Sequence, residues 1–188
     1  MYTGLDNNEF WKTIGISFLC FRIVYLISYQ SGLVVRGYDA MSNAGKSMWG
    51  SSCCSSILSL WMPYLVVKIG LANGGKWLFF DYPYKWADDE VTRMACIMIG
   101  YFYADLCDIL YYNKQWGKEY WVFAFHHIAA IWYFHQIIQH ELGQGSLLAV
   151  CLVEFSNFFN NNRYYMSKII MSNGQTFAAY YPTINLMN

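Results

Sequence analysis

Residues 119–138 read EYWVFAFHHIAAIWYFHQII, an apolar stretch that carries two adjacent histidines, His126 and His127. An α-helix rises about 1.5 Å per residue, so twenty residues cover roughly 30 Å, the hydrocarbon thickness of a bilayer. The two histidines then lie about 10–12 Å from the start of the helix near Glu119. Ionisable side chains at that depth are unfavourable unless a partner or a wet cavity receives them. The stretch therefore predicts a membrane-spanning helix whose histidines meet polar groups of neighbouring helices.

The composition of the whole chain supports a membrane protein. Of its 188 residues, 56 % are hydrophobic, 20 % are aromatic and only 13 % are charged, which is more apolar than an ordinary soluble domain. The net charge is zero, and no basic face is available for nucleic acid, so a nucleic-acid partner is excluded. All six cysteines lie in apolar runs, where we expect free thiols that pack as small hydrophobic groups.

Five apolar runs have membrane-spanning length, and the predicted fold is an all-α, single-domain integral membrane bundle of about five transmembrane helices. Arg22 lies in the middle of the first run, and we expect it to face the bundle rather than lipid. The second run opens with glycines and serines, whose small size allows helices to approach closely. The predicted spans are about 10–34, 47–70, 92–112, 119–138 and 144–166.

Two carboxyl groups share one face of the third predicted helix. Asp105 and Asp108 lie between Tyr101 and Tyr112 at successive spacings of four, three and four residues, the periodicity of one helix face. Asp105 would lie about 10 Å from the end of this helix, at the level of His127 on the next one. The matching depth predicts that Asp105 or Asp108 lies within hydrogen-bond reach of a histidine.

The fifth predicted helix carries a second polar stripe. Glu154, Asn157 and Asn161 recur at spacings of three and four residues, and Glu154 would lie about 15 Å into the membrane. Phe158 and Phe159 are expected on the opposite, outward face. The predicted polar or lipid-binding cluster therefore consists of Asp105, Asp108, His126, His127, Glu154, Asn157 and Asn161.

The spacing of these groups limits their chemistry. Adjacent histidines are about 100° apart around a helix and do not easily bind one metal ion, and no Glu-x-x-His motif is present, so we expect no metal. One histidine oriented by a carboxylate can act as a general acid or base, which makes His126, His127, Asp105 and Glu154 the candidate catalytic residues. Three interpretations stay open: mutual hydrogen bonding that holds the bundle in register, a lipid or small-ligand cavity, and catalysis.

Three segments of the chain resemble, in order, the motifs of the TLC-domain family, a membrane fold that also contains the ceramide synthases. The resemblance implies a role connected with membrane lipid. The resembling segments are GYFYADLCDILYY at 100–112, FHHIAAIWYF at 125–134 and LAVCLVEFSNFFNNNRYY at 148–165.

The chain departs from the ceramide synthases in the helix after the double histidine. That branch carries a histidine–aspartate pair and a further aspartate there, whereas this chain has Val153, Glu154, Phe155 and Asn157. The resemblance is therefore to the branch of the family that does not synthesise ceramide. The family fold usually continues for two helices beyond the glutamate motif, so we expect an incomplete bundle. Transmembrane helices of other protein subunits are expected to cover its open side.

These expectations define two classes of function. The first is a non-catalytic accessory, structural or lipid-binding subunit of a larger membrane assembly, with the mitochondrial inner membrane or the endoplasmic reticulum as its location. The alternative is a lipid sensor, a lipid-transfer protein or an acyl-transfer enzyme that uses the double histidine. No cofactor is expected, but a bound phospholipid is, and its head group could lie near Arg163 and Lys168.

Overall fold

The computed structural model describes residues 6–31, 38, 41–72, 89–111, 119–140 and 144–172, and every regular element among them is an α-helix. The predicted all-α fold is confirmed. The helices are α1 (Asn7–Ser31), α2 (Asn43–Ala72), α3 (Asp89–Tyr111), α4 (Glu119–His140), α5 (Gln144–Val153) and α6 (Phe155–Ser172).

Short polar side chains fix where the first two helices begin. The Oδ1 atom of Asp6 accepts a hydrogen bond from the backbone N–H of Glu9 at 2.7 Å. In the same way, Oγ of Ser42 accepts the N–H of Gly45 at 3.2 Å. Each acceptor satisfies one of the N–H groups that the first turn of a helix leaves without a partner. The starts of the first four helices lie within four residues of the predicted spans, while Tyr112, the predicted end of the third span, lies outside the described residues.

Helix α3 is the centre of the bundle, and it contacts α1, α2, α4 and α5. Its pairing with α1 is parallel and is marked by an ion pair at each end. At the first end, Nη2 of Arg93 lies 2.9 Å from Oε1 of Glu9, and at the other Arg22 pairs with Asp108. Because two such pairs fix the register, the polar groups in the last turns of α3 take defined positions relative to α1.

The two parallel helices approach most closely at Gly100. A Cβ atom at this position would lie 2.6 Å from the carbonyl oxygen of Ile14 and 2.6 Å from the Cβ of Ser17. The hydroxyl of Ser17 donates to the carbonyl of Ile97 at 2.7 Å, across the same interface. Small residues thus allow α1 and α3 to pack with almost no space between their backbones, as is common for helices in lipid.

Helices α1, α2 and α3 are each long and apolar enough to cross a membrane. Helix α4 also has spanning length, but histidines and glutamines interrupt its apolar sequence. Large apolar side chains project outward from the bundle, as lipid-facing residues do. On α1 these are Ile16, Leu19, Ile23, Leu26 and Ile27, and on α4 they include Val122, Phe125, Ile128 and Trp132.

The prediction of one continuous helix over 144–166 is wrong, because the helix is interrupted at Glu154. The N–H of Glu154 donates to the carbonyl of Val150 at 3.1 Å, but the carbonyl of Glu154 accepts from the N–H of Asn157 at 2.9 Å. The bond that leaves Glu154 thus spans three residues rather than four, which tightens the turn and separates α5 from α6. The Nδ2 of Asn157 also donates to the Glu154 carboxylate at 2.6 Å, and such a local side-chain bond stabilises the tightened turn.

Candidate functional site

A cavity of about 380 Å³ lies between α2, α3, α4 and α6. Serines of α2, Asp105 of α3, both adjacent histidines of α4 and Glu154 line it, together with asparagines of α6. The cavity thus collects most of the predicted polar cluster in one place. Its wall also includes the aromatic rings of Phe102 and Phe123.

The predicted contact between a carboxylate of α3 and a histidine of α4 is present. Nε2 of His127 lies 2.8 Å from Oδ2 of Asp105, at ion-pair distance but with the ring N–H not directed at the oxygen. The other ring nitrogen, Nδ1, lies 2.8 Å from the backbone carbonyl oxygen of Phe123. Both side chains of the pair are more than nine-tenths buried, with 6 % of His127 and 7 % of Asp105 exposed. His127 therefore contacts its own helix through Nδ1 and α3 through Nε2, and the second contact joins α3 to α4.

Asp105 is also bound by the second helix. The hydroxyl of Ser51 donates to Oδ1 of Asp105 at 2.5 Å, so this one carboxylate links α2, α3 and α4. The sequence interpretation missed Ser51, because it assigned the serines of α2 only to close packing. The signal that could have identified Ser51 is its depth, because it lies about two turns from the start of α2, as Asp105 lies nearly two turns from the end of α3.

His126 is placed differently from His127. It lines the cavity and its side chain is exposed. Its ring lies edge-on to the ring of Phe102, with centroids 6.2 Å apart, and within the described residues neither of its nitrogens has a hydrogen-bond partner. Of the two histidines, His126 is the one available to a ligand.

Glu154 and the asparagine stripe of α6 form the opposite side of the cavity. The carboxylate of Glu154 is buried and its Oε2 accepts from Asn157, while Oε1 has no hydrogen-bond partner among the residues that the structure describes. Further along the helix, the Nδ2 atom of Asn161 is buried without a hydrogen-bond partner. Of the two phenylalanines predicted to face outward, Phe159 is 60 % exposed, whereas Phe158 is half-buried. The described residues therefore leave the Oε1 acceptor of Glu154 and the Nδ2 donor of Asn161 unused at this side of the cavity.

Asp108 does not belong to this cavity, and its assignment to the polar cluster is corrected. It is buried against α1, where it pairs with Arg22, and the Arg22 guanidinium also lies 5.1 Å from the centroid of the Tyr25 ring. Three residues correspond to about 60° around a helix, enough to turn Asp108 from the α4 side of α3 to the α1 side. Arg22 faces the bundle, as predicted. The sequence interpretation did not identify Asp108 as its partner.

The charges of the site limit its chemistry. Its described lining residues include two carboxylates and two histidines but no arginine or lysine. The hydroxyl of Ser51 is already committed to Asp105, so it is not poised as a nucleophile next to a histidine base. Among the described residues, no group of histidine, cysteine and acidic side chains is arranged to hold a metal ion. All six cysteines are free, as predicted. The arrangement suits hydrogen bonding to a polar group of a ligand.

Comparisons with known proteins give a family match over this part of the chain. A family model of the TLC domain matches residues 48–186, a segment that contains the whole described lining of the cavity. TLC domain-containing protein 4-B of Xenopus laevis is 26 % identical over 147 residues, which cover 73 % of this chain and 51 % of that protein. The chain thus spans about half the length of this curated relative. No solved structure matches the chain.

Proposed function

The chain belongs to the TLC-domain family of integral membrane proteins, and from this premise we propose that it is a non-catalytic lipid-binding protein that holds a lipid head group in the cavity between α2, α3, α4 and α6. The proposal concerns the cavity alone. Membership of a larger membrane assembly, in the mitochondrial inner membrane or the endoplasmic reticulum, stays a prediction from the sequence.

The observation that carries the proposal is spare hydrogen-bonding capacity inside a cavity of a membrane bundle. Oε1 of Glu154, Nδ2 of Asn161 and the ring of His126 are all without hydrogen-bond partners within the described residues. Unsatisfied polar groups are unfavourable at membrane depth, so water or a polar ligand must reach them. Next to these groups, Phe102 and Phe123 supply apolar wall for the beginning of an acyl chain. A lipid has both of the required parts.

A second candidate function is acyl transfer or another lipid reaction, and the position of His126 favours it. A histidine in a polar cavity with both ring nitrogens free of hydrogen bonds can accept or donate a proton at a bound substrate. The fixed His127 would then act only by positioning. Against this candidate, the Ser51 hydroxyl is committed to Asp105 and no cysteine is among the described lining residues, so neither supplies a nucleophile next to a histidine base.

To test the proposal, a lining residue of the cavity is replaced by a larger one whose side chain fills the space for a lipid. Ser52 lines the cavity, and Ser52→Trp should displace a lipid that the wild-type chain retains through purification in mild detergent. Leu60→Trp is the matched control, because Leu60 lies on the same helix and is 48 % exposed on its outer face. Lipid bound per protein, measured by native mass spectrometry, should fall several-fold in Ser52→Trp and stay unchanged in Leu60→Trp. Equal lipid retention by both variants would overturn the proposal.

A further inference from the structure

We propose that the cavity selects an uncharged, hydroxyl-bearing head group, such as the glycerol of a monoacylglycerol, and excludes a phosphate from its interior. This inference rests on the lipid binding proposed above and adds the chemical class of the ligand. It is carried by the charges and by the unused hydrogen-bonding atoms of the cavity wall.

The charges of the described lining residues disfavour a phosphate. Asp105 and Glu154 are acidic, and His127 is the group that faces Asp105 at ion-pair distance. No arginine or lysine is among the described lining residues, and the N-terminus of α6, which begins at Phe155, already has the Glu154 carboxylate next to it. A phosphate inside this cavity would lie beside the Glu154 carboxylate without an arginine or lysine to offset its charge, and such like-charge repulsion is strong where water is scarce.

The unused hydrogen-bonding atoms of the cavity wall favour a hydroxyl group over an amine. Oε1 of Glu154, which has no hydrogen-bond partner among the described residues, can accept from a donor, whereas the buried Nδ2 of Asn161 needs an acceptor. An ammonium group can donate but cannot accept, so it would leave Asn161 unsatisfied. A hydroxyl group donates and accepts, and an ester carbonyl accepts. A ligand with hydroxyl and ester groups therefore satisfies both sides of the α6 stripe.

The volume of the cavity and the separation of its unused polar groups favour a glycerol unit. Glu154 and Asn161 are seven residues apart, about 10 Å along a helix axis, so one small polar group cannot reach both. A glycerol unit with two free hydroxyls and an adjacent ester extends further. The cavity volume of about 380 Å³ accommodates this unit, and the rings of Phe102 and Phe123 then meet the start of the chain.

The test uses three probes that share one oleoyl chain: monooleoylglycerol, oleoyl lysophosphatidic acid and oleylamine. Binding to the full chain in detergent is measured by competition against a photoactivatable oleoyl probe, with the crosslinked residues mapped by mass spectrometry. Monooleoylglycerol should bind at least about tenfold more tightly than either charged probe. Equal binding of the three, or preference for the phosphate or the amine, would overturn this inference while leaving lipid binding itself intact.

Two variants connect the preference to α6. Asn161→Ala removes the unused donor and should weaken monooleoylglycerol binding about five- to tenfold. Its matched control is Asn162→Ala, because Asn162 is exposed on the next position of the same helix and its Nδ2 donates to the carbonyl of Phe158. Glu154→Gln removes the carboxylate charge and should reduce the discrimination against lysophosphatidic acid. The inference is contradicted if Asn161→Ala and Asn162→Ala bind alike. If no probe binds, or if binding survives Ser52→Trp, the proposed function itself fails.

Discussion

Nε2 of His127 lies 2.8 Å from Oδ2 of Asp105, while Nδ1 of the same ring lies 2.8 Å from the carbonyl oxygen of Phe123. A carbonyl oxygen only accepts hydrogen bonds, so Nδ1 carries a proton. The pair joins α3 to α4 at the wall of the cavity.

Replacing Asp105 tests how much this pair contributes to stability. Asp105→Leu should lower the free energy of unfolding by roughly 3 kcal/mol, because it leaves the Ser51 hydroxyl and the His127 ring buried without their partner. Asp105→Asn should lower it less, since its amide oxygen still accepts from Ser51 and its NH₂ can donate to a neutral histidine. Unfolding of both variants in mixed detergent, followed by circular dichroism, gives the comparison. Equal losses in the two variants would contradict a stabilising hydrogen bond between the Ser51 hydroxyl and the side chain at position 105.

The pair between Arg22 and Asp108 is tested by a double-mutant cycle. Arg22→Met or Asp108→Leu alone should each destabilise the protein by roughly 3 kcal/mol, because each leaves one charge in the bundle without its partner. The double variant should lose less than the sum of the two, since neither charge then remains. The same detergent unfolding measures all three proteins. Strict additivity of the two losses would show that the two groups do not interact.

The close contact between α1 and α3 gives a prediction with a matched control. Gly100→Ala should destabilise the bundle by about 1–3 kcal/mol, because its methyl group would lie 2.6 Å from a backbone oxygen of α1 and must push the helices apart. Gly15→Ala should be neutral or slightly stabilising, since nothing lies within 4 Å of its added methyl group and alanine favours the helix. Thermal unfolding in detergent separates the two. If Gly15→Ala lowered the stability as much as Gly100→Ala, the close packing of α1 against α3 at Gly100 would be contradicted.

The sequence predicted the fold and part of the site because helix periodicity and depth are simple functions of residue number. They correctly placed Asp105 level with His127, and they placed Glu154 and Asn161 on one inward stripe. They could not distinguish the partners of Asp105 and Asp108, because residues three apart lie on nearly the same face of a helix. Only the positions of α4 and α1 around α3 show that Asp105 contacts α4 and that Asp108 contacts α1. Nor could they locate the break at Glu154, which depends on a local bond from the Asn157 side chain rather than on hydrophobicity.

The roles of serines and of Arg22 also depended on tertiary structure. A serine in an apolar helix is equally suited to close packing and to a buried hydrogen bond, and only the position of Asp105 on α3 assigns the second role to Ser51. Arg22 was expected to face the bundle, but the sequence offers several acidic residues. The parallel register of α1 and α3, fixed at its other end by Glu9 and Arg93, selects Asp108.

The apparent mass of the protein in mild detergent tests whether it belongs to a larger assembly. If the chain is an accessory subunit, it should migrate with a much larger complex after solubilisation of its native membrane in mild detergent. Fractionation of the organelles before solubilisation tells the mitochondrial inner membrane from the endoplasmic reticulum. A monodisperse monomer that keeps its lipid would contradict the accessory role and leave the lipid-binding role standing.

The two histidines should separate stability from function. His127→Ala removes the partner of a buried carboxylate and should lower the free energy of unfolding by roughly 3 kcal/mol. His126→Ala should change it by no more than about 0.5 kcal/mol, because this side chain is exposed and its contacts with the described residues are ring contacts. Detergent unfolding checks both values.

His126→Gln then distinguishes binding from catalysis, because glutamine keeps a donor and an acceptor but cannot act as an acid or base near neutral pH. If the cavity only binds lipid, His126→Gln should retain the lipid that His126→Ala loses. If the protein is an acyl-transfer enzyme, His126→Gln should still bind lipid but should turn over no better than His126→Ala. Lipid retention and acyl transfer from a labelled donor, measured on the same preparations, decide between the two functions. A wild-type chain with acyl-transfer activity that both His126 variants lack would replace the non-catalytic role with the enzymatic one.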